Sequence, residues 1–223
     1  MSQMTALEHD SYPAEQFEDP QQQALTATLG IWTFLATEVL FFGVLFTGFY
    51  IYRMRWPSAF ADGAKELKWY LGTINTAVLL GSSYFIALAV DAGRSGENRR
   101  VIRNLLIAIV LGIVFLGIKF TEYGIEYHDH LVPQLNFSAV SPEGEARPPQ
   151  EQLFMTFYFV MTGFHALHMI VGLCVLSVIT FFTWRGKFSA AYHNPIEIAG
   201  LYWHFVDMVW VFLFPTLYLL RHP

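Results

Sequence analysis

Ionisable side chains stand in the middle of stretches that are otherwise apolar: Glu38, Lys119, Glu122, His165, His168, His204 and Asp207. Three pairs repeat one spacing. Lys119 and Glu122, His165 and His168, and His204 and Asp207 each lie at i, i+3, which puts both members on one face of a helix. A carboxylate and an imidazole in apolar surroundings can hold, share or pass a proton. By residue type, His165, His168 and His204 with Asp207 would also fit a zinc or copper ion. His168 and His204 on facing helices would suit the two axial positions of a haem, although no second pair stands a membrane depth away. Against these readings, each polar group can serve as an interhelical hydrogen bond, with Gly163, Gly172 and Gly200 permitting close approach. Asn75, with Thr73 and Thr76, adds uncharged polar groups of the same kind.

The elements that position these groups must be membrane spans. Of the 223 residues, 54% are hydrophobic and only 14% charged, against about 25% charged in soluble domains. From Leu153 to Trp184 no Asp, Glu, Lys or Arg occurs, a run longer than the roughly 20 residues needed to cross a bilayer. In "TFLATEVLFFGVLFTGF" (33–49) the carboxylate of Glu38 sits deep in such a run. A charge there costs about 2.5–3.5 kcal/mol or more unless something compensates it.

The reading is therefore all-α: an integral membrane bundle with five transmembrane helices, at about 25–52, 69–90, 101–127, 153–183 and 197–220. The third has only a short uncharged core before Lys119, whose ammonium is expected to snorkel. Residues 1–24 form a polar, acidic tail, expected to be mobile, with no basic start of a signal peptide. The connection 128–151 contains "SPEGEARPPQ", a surface loop by its prolines and charges. Trp32, Trp56, Trp69 and Trp184 lie near span ends, as interfacial anchors do. The Lys/Arg count is six on each side of the membrane, so charge does not orient the chain. One cysteine, Cys174, excludes an internal disulfide and a Cys-rich metal or iron–sulfur site, and nothing calls for a nucleic-acid partner.

Five motifs, "TEVLFF" (37–42), "NTAVLL" (75–80), "FTEY" (120–123), "TGFHALHMIVG" (162–172) and "YWHFVDMVWVFLF" (202–214), together reach every span. In this order the set resembles subunit III of the haem–copper terminal oxidases, in the five-helix bacterial form that lacks the first two helices of longer members. The resemblance implies an accessory subunit of a respiratory terminal oxidase in the bacterial cytoplasmic (inner) membrane, with the N-terminus cytoplasmic. It implies O2 reduction to water coupled to proton translocation by the whole complex, with the haems and coppers in the partner subunits I and II. This subunit would carry no catalytic centre, cofactor or metal. It would shield subunit I, sustain proton uptake and hold structural phospholipid, and the complex could join a supercomplex with a cytochrome c or quinol-oxidising complex. Glu38 matches the family's buried carboxylate; Asn75, Glu122, His165, His168, His204 and Asp207 would be interior packing groups. A cytochrome c oxidase is the expected type. A quinol oxidase or a nitric oxide reductase-associated homologue stays open, as do, from other classes, a b-type haem anchor and a proton-coupled carrier. The carrier reading lacks the repeated halves usual in that class.

Overall fold

The computed structural model describes residues 20–138, 140, 147–189 and 192–220. Six α-helices follow in order: α1 (Pro20–Arg55), α2 (Pro57–Glu66), α3 (Trp69–Arg94), α4 (Asn98–His128), α5 (Pro149–Trp184) and α6 (Asn194–Phe214). A π-helical turn, Pro215–Leu219, closes the described chain. Among the described residues, five helices are long and apolar enough to cross a membrane, and none of the structure is strand.

Proline punctuates these helices. Pro57 pushes Trp56 out of the helical region (φ −136°, ψ 66°), so α1 stops and α2 begins one residue later. Pro149 opens α5, where its missing N–H costs nothing. Pro215 has no N–H to give the preceding turn and its ring crowds the carbonyl four residues back. The ladder widens there to the π turn. The tight α3–α4 link uses Gly96 at φ 70°, a left-handed conformation open to glycine.

The sequence reading places the five spans, each of which extends further at one end or both, although the second starts at Trp69 as read and the fifth gives way to the π turn after Phe214. Pro20 to Ala24, read as tail, begin α1; residues 1–19 lie outside the described residues. Of the 128–151 connection, residues 139 and 141–146 also lie outside them. Its end is not simply surface: the Arg147 side chain is 3% exposed, pairing Glu151 at 3.3 Å and Glu66 at 3.4 Å. α2 was not expected at all. It buries Phe60 and its small residues against α5, where a Cβ on Gly63 would stand 2.5 Å from the Phe154 ring.

α6 packs against α3 and α5, α4 lies along α3 and α5, and α1 leans on α5 and α6 from outside. Trp203 and Trp210 of α6 are fully buried. Gly112 of α4 and Gly172 of α5 make room for Trp203: a Cβ would meet its ring at 2.9 Å and 3.0 Å. Gly200 allows a similar approach by Val90, but Gly163 has nothing within 4 Å, so it does not mediate close packing as expected. Trp32, Trp69 and Trp184 are exposed on their helices, whereas Trp56 stacks flat on Tyr52 at 5.7 Å.

Candidate functional site

Polar groups inside the bundle fall into three sets, each tied to a different helix contact. Glu38 of α1 meets His168 of α5, with Oε2 and Nε2 3.0 Å apart. The other imidazole nitrogen, Nδ1, lies 2.7 Å from the Phe164 carbonyl. A carbonyl only accepts, so Nδ1 carries a proton and donates it. One proton then remains to be shared between Nε2 and Oε2. Either an imidazolium faces a carboxylate, or a carboxylic acid donates to a neutral ring. Both forms are neutral as a pair, which removes most of the cost of a lone charge in the span. The Phe41 and Phe42 rings flank the imidazole, and the Tyr202 hydroxyl donates to the His168 carbonyl at 3.0 Å.

The second set gathers on Lys119 of α4. The sequence reading has this ammonium snorkelling to the interface; the structure turns it inward, 1% exposed. Its three donors meet three oxygens: Glu122 Oε2 at 3.0 Å, Tyr158 OH at 2.9 Å and Tyr218 OH at 2.7 Å. The Tyr218 hydroxyl in turn donates a hydrogen bond to Glu122 Oε1 at 2.7 Å. The rings of Tyr158, Tyr123, Tyr218 and Trp210 surround Nζ at 4.5–5.6 Å. Filled hydrogen bonds and surrounding aromatic faces offset what the ammonium loses by leaving water. Snorkelling would break all of these. Expected from spacing was only the Lys119–Glu122 pair; Tyr158 and Tyr218 were missed, as was Glu126, 1% exposed on the same helix. Tyrosines among so many aromatics give no local signal, and Tyr218 reaches the hub from within the π turn.

The third set joins α3 to α6. His204 Nδ1 and Ser83 Oγ are 2.6 Å apart. Trp203 donates to Ser82 at 3.2 Å, and Ser82 to the Ala108 carbonyl at 3.1 Å. Trp210 donates to Thr76 at 3.0 Å. Asp207 is buried with the Ser83 hydroxyl beside it, though without a bond of normal geometry. Asn75 is wholly buried, and neither of its amide atoms meets a partner among the described residues.

The shared spacing of His165 and His168 does not bring them to a shared task. His165 is wedged between the Phe115 and Trp210 rings at 5.5 Å and 5.2 Å, while His168 turns to α1. Likewise His204 engages α3 and makes no pair with Asp207. Among the described residues, no group of three or more His, Cys, Asp or Glu is placed to hold a metal ion. The four residues that fit zinc or copper by type are distributed over separate contacts. What the arrangement supplies is a shared proton at Glu38–His168 and a buried ionic hub that clamps α4, α5 and the end of the chain.

Comparison with known proteins bears on this arrangement. The family model of cytochrome c oxidase subunit III matches residues 149–221. The chain is 34% identical over 196 residues to cytochrome c oxidase subunit 3 of Synechocystis, covering 86% of this chain and 74% of that one. With the Thermostichus vulcanus subunit the identity is 33% over 200 residues, covering 86% of each. With that of Bos taurus it is 30% over 197 residues, covering 85% of this chain and 67% of that one.

Proposed function

The chain belongs to the cytochrome c oxidase subunit III family, and we propose that it is the cofactor-free member of its complex. As subunit III of a cytochrome c oxidase it is an accessory, multi-pass component of a proton-translocating terminal oxidase. The proposal adds its partners and setting: subunits I and II with the haems and coppers, structural phospholipid, a bacterial inner membrane and a cytoplasmic N-terminus. One observation carries the reading, the similarity at 34% identity across 86% of the chain.

The geometry suggests how such a subunit acts without redox chemistry. Its Glu38–His168, Lys119 and His204–Ser83 contacts hold helices together, and its outer surface is broadly apolar, with Leu40, Val44 and Met54 all more than 70% exposed. A rigid, membrane-embedded wall of this kind keeps lipid and water away from the flank of a catalytic subunit. Glu38 and His168 act within it as a neutral polar lock between α1 and α5.

The test is purification through a tag on this chain. The reading expects haem- and copper-bearing partners to co-purify, cytochrome c to be oxidised at the expense of O2, and the separated subunit to be colourless and metal-free. Stoichiometric iron, copper or zinc in the separated subunit, or oxidation of quinol in place of cytochrome c, would overturn it.

A further inference from the structure

Midway along α6, one polar cluster reaches the outside of the bundle. His204 is partly exposed, and its Nδ1 is taken by Ser83 Oγ at 2.6 Å. The other ring nitrogen, Nε2, has no hydrogen bond among the described residues. Neither oxygen of the buried Asp207 has one of normal geometry. The Ser83 hydroxyl lies beside both groups and has one proton to give. If it donates to Nδ1, Nε2 carries the ring proton; if Nδ1 donates to Oγ, Nε2 is a lone pair. Either way, one hydrogen-bonding position is left open. Depth makes that costly. His204 stands ten residues after Asn194 and fifteen before Leu219, about 15 Å and 22 Å along the helix axis. In a hydrocarbon layer of about 30 Å this is out of reach of phospholipid ester and phosphate groups. Polar side chains at such depth face protein or a water-filled space. A lipid chain can cover His204 but cannot bond to it.

The surface around this position is apolar and concave. Met208, four residues on, shares the face of α6 with His204. Met208 and Phe212, each 59% exposed, form one wall of a groove of about 310 Å³, and Val39, Gly43 and Phe46 of α1 form the other. On the opposite flank Leu80 of α3, one turn before Ser83, is 54% exposed. We propose that this face seats a membrane span of the catalytic subunit, which sets a hydroxyl or amide side chain against His204 Nε2 while its apolar side chains fill the α1–α6 groove. A hydroxyl or an amide both donates and accepts, so it answers Nε2 in either state. Charge complementarity argues against a second copy of this chain. Residues 194–219 contain no Lys or Arg. A two-fold contact here would set His204 against His204 and bring two Asp207 carboxyls together with no cation between them. The proposal rests on the reading that this chain accompanies a catalytic subunit, and it adds the face and the contact.

The experiment places the photo-crosslinking residue benzoylphenylalanine at Met208 of the assembled oxidase and, separately, at Val110 of α4, which is 57% exposed. After illumination, mass spectrometry identifies what each position captures. The probe at Met208 should capture a peptide of the catalytic subunit, and the probe at Val110 should capture lipid. Lipid alone at Met208, or a second copy of this chain, refutes the occupant. Equal capture of the catalytic subunit from both positions refutes the choice of face. If the catalytic subunit co-purifies but Met208 captures none of it, this face fails while the association stands. If it does not co-purify, both fail. His204→Ala should lower retention of this chain on the oxidase in detergent about threefold, the effect of one hydrogen bond between membrane helices. His204→Gln should keep most of it, since an amide can still meet a hydroxyl or an amide. Retention unmoved by His204→Ala refutes the hydrogen bond. The probe at Met208 leaves His204 unaltered, so it decides even where a His204 variant assembles badly.

Discussion

Replacing Lys119 by methionine isolates the value of the buried hub. The ammonium and the Glu122 carboxylate are 3.0 Å apart and 1% and 0% exposed, so screening by solvent is negligible. With an effective dielectric of about 20, Coulomb's law gives an attraction of about 5–6 kcal/mol at that distance. Desolvation of both charges consumes most of this, so the intact pair adds little net stability. Breaking it is another matter. Lys119→Met would leave Glu122 buried as an anion with, among the described residues, the Tyr218 hydroxyl donating to it, a loss of about 3–5 kcal/mol. Glu122→Gln in the same chain removes the stranded charge, and its amide still accepts from Tyr218. The double variant should therefore be more stable than Lys119→Met alone, with a coupling of about 2 kcal/mol, within the range for contacting residues. The assay is SDS titration of the purified oxidase, scoring retention of the subunit on native gels for both single variants and the double. If the two substitutions add within about 0.5 kcal/mol, or if Lys119→Met is neutral, the hub is not an ionic clamp and the reasoning fails.

The remaining predictions concern other contacts. Glu38→Gln should keep most turnover and the proton-to-electron ratio, since its amide can donate to His168 Nε2; a collapsed ratio in an assembled complex would make Glu38 a proton relay. Glu38→Ala should strand His168 at a cost of about 1–3 kcal/mol and shorten the working life of the oxidase, measured as activity decay over repeated turnover. Gly112→Ala puts a Cβ 2.9 Å from both Trp203 and Leu173; an overpacking cost of about 1–3 kcal/mol should appear as less subunit in membranes on immunoblots, whereas Gly163→Ala should leave the level unchanged. Ser83→Ala removes the partner of His204 and should cost only about 0.6 kcal/mol, the average for a hydrogen bond between membrane helices, read as a small shift in the same SDS titration.

How much of this was legible beforehand depends on the range of the interaction. The spans announce themselves because twenty apolar residues in a row have few other uses, and the helix spacing of Lys119 and Glu122 already put the pair on one face. α2 was invisible for the opposite reason. It is too short to cross a membrane, and apart from Phe60 its buried face is alanine and glycine, which carry little hydrophobic signal; the Phe154 ring packed against Gly63 shows why that position is small. The clipped ends follow from charge. Arg53, Arg55 and Arg94 look like stops in a hydropathy reading, yet a helix continues through charged residues at the membrane surface.

The sequence also shows a difference between spacing and destination. Three i, i+3 pairs look equivalent on paper, and only Lys119–Glu122 is a pair in space. Three residues advance a helix by 300°, so the two members diverge by about 60°, enough to face different neighbours in a bundle where every span has several. His165 therefore goes to Trp210 while His168 goes to Glu38. Proximity along one helix says which residues can meet; the facing helices decide which do. Glu38 makes the point most clearly. Nothing within its own span could have compensated it, because it is the only ionisable side chain among residues 33–49. The imidazole that does so comes from a helix 130 residues further along, and its usable nitrogen is fixed by a carbonyl on that helix. A carboxylate deep in a span thus reads correctly as a demand for a partner, and the partner's identity is information that only the tertiary arrangement holds.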